Sequence, residues 1–287
     1  MSPFLPWRLA QTARATRRAL AGAPVPDGWV GDAVKTQLRL AAGRVQREDG
    51  VVSVPVGGFN VAGFSVSSLA YLHREIFVQL QYWFEARRRD PFIVDGGSNI
   101  GMSVLFFKSL YPNARVLAFE PAERAHELLV RNVGANALQN VDVRHTALGR
   151  EKATVPFFED PDDPATFRMS TRPERIPGTS TSVTQERLSD LLTGEVDLLK
   201  LDIEGAEDSV LADLGDSGAI SRIEQLVVEY HHQLDAQRDF LGAFLERLRE
   251  HGFAYQVSAR ENVARRAADG PAYQDVLVYA RRATVSR

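Results

Sequence analysis

From residue 92 onward, short apolar runs alternate with longer segments in which apolar residues recur at helical spacing. The runs predict strands over 92–96, 115–120, 141–146, 197–202 and 225–231. The periodic segments predict helices over 100–111, 122–136, 206–214 and 236–250. Strands that are apolar throughout are expected where helices cover both faces of a parallel sheet. The pattern therefore predicts an α/β fold with a mostly parallel sheet.

Both ends of the chain depart from this rhythm. Two β segments, 254–259 and 274–282, have no helix-sized gap between them and predict an antiparallel hairpin that completes a seven-stranded sheet. Near the amino terminus, alternation around glycines predicts a hairpin over 51–66, followed by a helix over 69–89. We predict an N-terminal extension over 1–68 and a larger α/β domain over 69–287.

The first 50 residues are predicted to be a helical extension with basic side chains. Its basic and large apolar residues are Arg8, Arg14, Arg17, Arg18, Trp7, Leu9 and Leu20. A basic amphipathic helix of this kind is typical of peripheral contact with a membrane surface or a partner. A solvated accessory helix is the alternative, and both interpretations stay open.

The turn after the first of the parallel strands reads D-G-G-x-N-x-G over residues 95–101. A dinucleotide-binding turn requires G-x-G-x-x-G. Read from Gly96 the third position is Ser98, and read from Gly97 it is Asn99, so both frames fail. Glycines here allow close approach of the backbone to a ligand. An acid at the strand end, Asp95, is predicted to accept a hydrogen bond from the ammonium group of that ligand.

The second parallel strand ends in an acid that completes a nucleoside site. Glu120 follows Gly101 by 19 residues, and a carboxylate at this point of the fold holds the ribose hydroxyls of an adenosine. With no pyrophosphate motif present, the pattern favours S-adenosylmethionine as the cofactor. We predict that the cofactor-binding residues are Asp95, Gly96, Gly97, Asn99, Gly101, Glu120 and Pro121.

Composition narrows the alternatives. The 287-residue chain has a net charge of −3 and lacks the basic footprint of a nucleic-acid-binding protein. With no cysteine, disulfides, thiolate metal sites and cysteine nucleophiles are excluded. No apolar run has the length of a transmembrane helix, and the N-terminal segment lacks the apolar core of a secretory signal. A cytoplasmic location is the default expectation.

Several stretches together resemble the FkbM family of methyltransferases. They are "REIF", "VDGGSNIGMSVLFF", "VLAFEPAERAHELLVRNVGAN", "HTALG", "TSVTQERLSDLL" and "VDLLKLDIEGAEDSVL". The resemblance covers residues 70–235, with Gly97 where that family usually has alanine. It implies a Rossmann-like class I fold and transfer of a methyl group to a hydroxyl of a sugar, glycolipid or polyketide-type acceptor.

An acidic cluster is predicted at the carboxyl ends of two neighbouring strands. Asp202 and Glu204 follow the fourth strand, and Glu229 and His231 end the fifth. Because parallel strands end at one edge of a sheet, these four side chains are expected to share a cleft as the catalytic residues. Histidine titrates near neutral pH, so His231 is the predicted proton acceptor, oriented by a carboxylate.

The same residues suit two other roles. Carboxylates with one imidazole are also suitable ligands for Mg²⁺ or Mn²⁺, and a metal would lower the pKa of an acceptor hydroxyl. Alternatively, Glu204 and Glu207 only stabilise the N-terminus of the following helix. Lys200 is expected to lie at the edge of the core.

A loop over 159–180, rich in Pro, Asp, Ser and Thr, interrupts the strand–helix rhythm. A loop this long inside a compact domain is typically a lid or lacks fixed structure. We interpret it as an acceptor-binding insertion with three arginines, Arg168, Arg172 and Arg175. Its acids make a solvated mixed-charge loop the alternative.

Two other classes of function remain as alternatives to a methyltransferase. One is a dinucleotide-dependent oxidoreductase, whose glycine spacing is missing. The other is a non-catalytic module that binds S-adenosylmethionine. A homodimer is left open.

Overall fold

The computed structural model of the protein describes residues 25–160, 169–173, 179–232, 240–259 and 274–283, together with residues 13 and 16. The predicted arginine-rich helix around Arg8 to Arg18 lies almost entirely outside the described residues. Parts of the 159–180 loop, including Arg168 and Arg175, and the start of the predicted 236–250 helix also lie outside them.

The described elements alternate along the chain largely as predicted. The helices are α1 (Trp29–Ala41), α2 (Val66–His73), α3 (Met102–Leu110), α4 (Glu123–Ala135), α5 (Glu207–Asp216) and α6 (Leu241–Glu250). The strands are β1 (Gln46–Glu48), β2 (Val51–Val56), β3 (Phe59–Gly63), β4 (Phe92–Gly96), β5 (Arg115–Phe119), β6 (Val141–Arg144), β7 (Ala147–Gly149), β8 (Ala153–Glu159), β9 (Thr179–Arg187), β10 (Leu198–Leu201), β11 (Gln225–His232), β12 (Phe253–Ala259) and β13 (Gln274–Arg282).

Seven strands form the central sheet in the order β12-β13-β11-β10-β4-β5-β6. The pairs from β11 to β6 are parallel, while β13 runs antiparallel to both β11 and β12. The predicted fold class is therefore confirmed: an α/β Rossmann-like sheet with a terminal antiparallel hairpin. In this register Lys200 on β10 lies directly beside Asp95 on β4.

Helix α1 and strands β2 and β3 pack into the same hydrophobic core as helix α3, which follows the first strand of the central sheet. The predicted hairpin forms as β2 and β3, joined at Gly57 and Gly58. Trp29 of α1 stacks on Phe77 and meets Phe106 of α3 edge-on, with ring centroids 5.4 and 5.7 Å apart. The predicted boundary at residue 68 falls inside α2.

The predicted helix over 69–89 is confirmed only as far as Val78. Helix α2 ends at His73, one wide π turn follows over Arg74–Val78, and the chain then becomes irregular. Leu80 adopts a left-handed conformation (φ 56°) although its side chain is buried. Tertiary contacts override the helical periodicity, because the residues after Leu80 turn towards the carboxyl edge of the sheet.

Besides the N-terminal sheet of β1, β2 and β3, a further three-stranded sheet forms that was not predicted. Strands β7, β9 and β8 form it in that order, and β8 and β9 take up both ends of the predicted 159–180 loop. Strand β9 has the sequence TSTSVTQER and is largely exposed, so it carries no apolar pattern from which a strand is inferred.

Within the described ranges, no helix combines the length and apolar character needed to cross a membrane.

Candidate active site

A cleft of about 490 Å³ opens at the carboxyl edge of the central sheet. The turns after β4, β5 and β10 and the end of β11 supply much of its wall, as expected for a doubly wound sheet. Its polar lining residues are Tyr71, Glu75, Gln81, Tyr82, Ser98, Asn99, Ser103, Glu120, Thr146, Thr171, Lys200, Asp202, Glu204, Glu229 and Asp275. The cleft therefore joins the predicted cofactor turn to the predicted acidic cluster.

The glycine turn is held tightly against the neighbouring strands. Backbone N–H groups of Gly97 and Ser98 both donate to the carbonyl oxygen of Phe119, at 3.0 and 2.9 Å. Gly97 has φ 77°, and a Cβ added there would lie 1.8 Å from the carbonyl oxygen of Asp202. Only glycine fits this position, and Gly97 and Asn99 both line the cleft as predicted.

Two of the other predicted cofactor glycines serve packing. A Cβ on Gly96 would meet Leu201 at 2.9 Å, and a Cβ on Gly101 would meet Leu129 at 2.6 Å. Neither glycine is among the cleft-lining residues. Their assignment as ligand contacts is corrected to close packing of the turn against the core.

The predicted contact between Asp95 and a ligand ammonium is also corrected. Its carboxylate is fully buried, accepts a 2.6 Å hydrogen bond from the hydroxyl of Ser103, and lies 3.1 Å from Nζ of Lys200. Lys200 is equally buried and also donates to the carbonyl oxygens of Gly96 (3.0 Å) and Gly97 (2.6 Å). Asp95 thus acts on the cofactor turn through Lys200.

Lys200 was predicted to lie at the edge of the core, but it lines the cleft and was not predicted as a site residue. Burial alone would lower its pKa, but the carboxylates of Asp95 and Asp202 outweigh burial and raise the pKa instead. The side chain is therefore a permanent ammonium inside the protein. It donates to the carbonyl oxygens of the glycine turn and also lies 3.9 Å from the carboxylate of Asp202.

Glu120 lies where the prediction places it. Its two carboxylate oxygens accept backbone hydrogen bonds from Asn99 (2.7 Å) and Ala122 (2.9 Å), and both it and Pro121 line the cleft. Burial raises the pKa of Glu120 to about 7, against the lowering effect of these two hydrogen bonds. Each oxygen keeps a further lone pair, so the carboxylate can accept the two hydroxyls of a ribose.

Three of the four predicted catalytic residues, Asp202, Glu204 and Glu229, line the cleft, and His231 lies buried behind them. Asp202 Oδ2 accepts a 2.8 Å hydrogen bond from the hydroxyl of Tyr82, and Glu229 accepts one from the side-chain amide of Gln81. Burial and the nearby charge of Asp202 raise the pKa of Glu229 to about 8. Glu229 is therefore protonated at neutral pH, and Asp202 faces the cleft beside it.

The surroundings of His231 argue against its predicted role as the proton acceptor. The ring is buried, with Nδ1 2.9 Å from Glu207 and Nε2 3.2 Å from Glu204. Burial disfavours the imidazolium, but these carboxylates outweigh it and raise the pKa of His231 well above its ordinary value. A protonated ring has no lone pair to accept a proton. His231 instead neutralises the surrounding carboxylates.

The predicted metal ligands are brought together. One ligand atom each from Asp202, Glu229 and His231 lie within 4.8 Å of one another. Both nitrogens of His231 already face carboxylates, however, and the residue does not line the cleft. The donor set fits a divalent cation only if His231 loses its proton and its contact with Glu204. Glu204 itself lines the cleft and lies 3.2 Å from Nε2 of His231.

A seven-stranded sheet with this cleft, a glycine turn after β4 and an acid after β5 defines a class I methyltransferase fold. Residues 95–255 match the Methyltransferase FkbM domain. "Methyltransferase 1" of Beauveria bassiana is 34% identical over 209 residues, which span 65% of this chain and 82% of that protein. The chain belongs to the FkbM methyltransferase family.

Two further proteins are similar to this chain. "31-O-demethyl-FK506 methyltransferase FkbM" of Streptomyces tacrolimicus is 31% identical over 242 residues, which span 68% of this chain and 86% of that protein. A crystal structure of Methyltransferase FkbM from Methylobacillus flagellatus is 17% identical. The structural match spans 88% of this chain and 61% of that protein, and its TM-score is 0.44.

Proposed function

We propose that this protein is an S-adenosylmethionine-dependent O-methyltransferase that acts on a hydroxyl group of a sugar, glycolipid or polyketide-type small molecule. One observation carries the proposal: the glycine turn, Glu120 and Asp202 line a single cleft. The name of the Streptomyces tacrolimicus relative refers to an oxygen-bound methyl group, which supports an oxygen acceptor.

At the cofactor end, the chain offers a backbone turn and one carboxylate. Gly97 lets the turn approach a ligand closely, and Glu120 accepts hydrogen bonds from the vicinal hydroxyls of a ribose. Lys200 fixes the turn by donating hydrogen bonds to the carbonyl oxygens of Gly96 and Gly97. When bound, S-adenosylmethionine supplies a methyl group made electrophilic by its sulfonium.

At the acceptor end, Asp202 takes the proton of the accepting hydroxyl. The oxygen forms its new bond to the methyl carbon as the bond between that carbon and sulfur breaks, and the sulfur keeps the electron pair. The proton passes to the carboxylate of Asp202, and His231 offsets the negative charge of the cluster. Glu229, protonated at neutral pH, is a hydrogen-bond donor for the acceptor.

The first test is ligand binding followed by methyl transfer. Calorimetry is expected to show binding of S-adenosylmethionine and its demethylated product, and no tighter binding of NAD. Labelled donor is then offered with methyl glucoside, a glycolipid and a macrolide carrying a free secondary alcohol, and label is expected in an ether product. Tighter binding of NAD favours an oxidoreductase, and binding without transfer to any hydroxyl favours a non-catalytic module.

Replacement of Glu120 by glutamine is expected to weaken donor binding by about 10- to 100-fold, the effect of losing hydrogen bonds to a charged group. In the wild type, affinity is expected to fall as the pH drops below about 7, because Glu120 becomes protonated there. Calorimetry at pH 6 and 8 measures both effects. Glu123→Gln, an exposed neighbour outside the cleft, is the matched control, and equal affinities in the two variants would contradict the assignment.

Chelation separates the two remaining hypotheses for the acidic cluster. Turnover is expected to be unchanged in excess chelator, because the ring nitrogens of His231 are engaged by Glu204 and Glu207. Chelator already saturated with Mg²⁺ is the control for direct effects of the chelator. Loss of activity that added Mg²⁺ restores would establish the metal site formed by Asp202, Glu229 and His231.

A further inference from the structure

Two consecutive residues outside the recognised motifs hold the two facing carboxylates of the cleft. After the left-handed turn at Leu80, the side chains of Gln81 and Tyr82 are both buried and both line the cleft. Gln81 donates to Glu229 on β11, and Tyr82 donates to Asp202 just after β10. One short segment therefore spans the ends of two strands of the central sheet.

Two hydrogen bonds and a cation–π contact fix the position of this segment. The backbone N–H of Gln81 donates to the carbonyl oxygen of Glu75 (3.2 Å), and its own carbonyl accepts from the hydroxyl of Tyr279 (3.1 Å). Nζ of Lys200 lies 5.1 Å from the centre of the Tyr82 ring, a cation–π contact. The phenol is therefore held in a fixed direction towards Asp202.

The contact gives the two oxygens of Asp202 different environments. Oδ2 receives the hydroxyl of Tyr82 at 2.8 Å and lies 3.9 Å from the ammonium of Lys200. Oδ1 has a longer, 3.9 Å approach from Nε2 of His231. A carboxylate has no hydrogen to donate, so in this contact the phenol of Tyr82 is the donor and Asp202 is the acceptor.

We propose that Tyr82 is a positioning residue that fixes the carboxylate of Asp202 so that Oδ1 is the oxygen which receives the acceptor proton. The inference rests on the proposed function, in which Asp202 is the base. A hydrogen bond from Tyr82 to Oδ2 stops rotation of the carboxylate. Orientation of a base by a third group is a general requirement of proton transfer at a reacting centre.

The test is a double-mutant cycle with Tyr82→Phe and Asp202→Asn, measured with labelled donor and the acceptor of highest turnover among methyl glucoside, the glycolipid and the macrolide alcohol. Phenylalanine keeps the ring over Lys200 and removes only the hydroxyl. Loss of one charge-assisted hydrogen bond is expected to lower kcat by about 10- to 100-fold. The donor Kd and the acceptor KM are expected to stay within about twofold.

In the Asp202→Asn background, Tyr82→Phe is expected to have almost no further effect, because Tyr82 acts only through Asp202. The matched control is Tyr111→Phe, which removes a partly buried hydroxyl that bonds to the same irregular segment, at Phe84 and Ala86. Tyr111 is not among the cleft-lining residues, and its variant is expected to keep full kcat.

Three outcomes would overturn the inference. The first is an unchanged kcat in Tyr82→Phe. The second is an equal loss of kcat when Tyr82→Phe is introduced into the wild type and into Asp202→Asn. The third is a loss of donor binding in Tyr82→Phe, which would show that Tyr82 supports the structure of the whole cleft. Failure of the wild type to transfer methyl to any hydroxyl would instead overturn the proposed function. The wild-type measurement therefore distinguishes the two failures.

Discussion

Asp202→Asn is expected to lower kcat by about 10²–10⁴-fold, the usual contribution of a positioned base. Asparagine keeps the size of the side chain and still accepts from the hydroxyl of Tyr82, but its amide does not take up a proton. The donor Kd is expected to change little, because the proposed donor contacts come from the turns after β4 and β5. Single-turnover transfer of labelled methyl measures the chemical step directly.

The matched control for this variant is Asp208→Asn. Asp208 also accepts a hydrogen bond from a tyrosine, Tyr230, at 2.6 Å, but it does not line the cleft. Its variant is expected to retain turnover within about threefold, as a change outside the reacting centre. Near-normal turnover in Asp202→Asn, with a normal Asp208→Asn, would remove Asp202 from the mechanism.

Gly97→Ala is expected to destabilise the fold by roughly 2–5 kcal/mol and to reduce donor affinity by at least about 100-fold. About 1–2 kcal/mol comes from placing a side chain in the left-handed region, and roughly 1–3 kcal/mol from overpacking. The new methyl group would collide with the carbonyl of Asp202, 1.8 Å away. Either the turn or the backbone of Asp202 must therefore move. Denaturant unfolding and calorimetry measure the two effects.

Gly58→Ala separates backbone strain from collision. Gly58 also has a left-handed conformation (φ 91°), but among the described residues no atom lies within 4 Å of an added Cβ. This control is expected to lose only about 1–2 kcal/mol of stability and to bind the donor normally. Equal stability and donor affinity in the two alanine variants would show that the turn relaxes without consequence for the site.

The cofactor end of the cleft was largely predictable because its chemistry is local. A glycine turn and an acid after the next strand lie within 26 residues of sequence, and the parallel sheet places them side by side. What each glycine does was not predictable. Gly97 lies on the cleft, whereas Gly96 and Gly101 make room for Leu201 and Leu129, and sequence alone does not distinguish a ligand from a packed side chain.

The sequence predicted which residues meet in the acidic cluster, but it did not predict the protonation state of His231. Asp202, Glu204, Glu229 and His231 meet because neighbouring parallel strands end at one edge. The proton on His231 depends on Glu207, whose carboxylate reaches Nδ1 from the first turn of α5. That contact pairs the histidine with a second carboxylate, and the charge balance of a buried cluster follows only from distances in three dimensions.

The sequence by itself determined the order of elements, the α/β sheet and the strand ends that carry the cofactor turn and the acids. Hydrophobic periodicity and glycine spacing encode these features within each segment. Only the tertiary structure decided that Gln81 and Tyr82 leave a helical pattern to reach carboxylates 148 and 120 residues away. It also decided that Lys200 lies buried between both ends of the cleft. Hydrogen bonds and ion pairs at such separations leave no periodic trace in a sequence, because they depend on how distant segments meet.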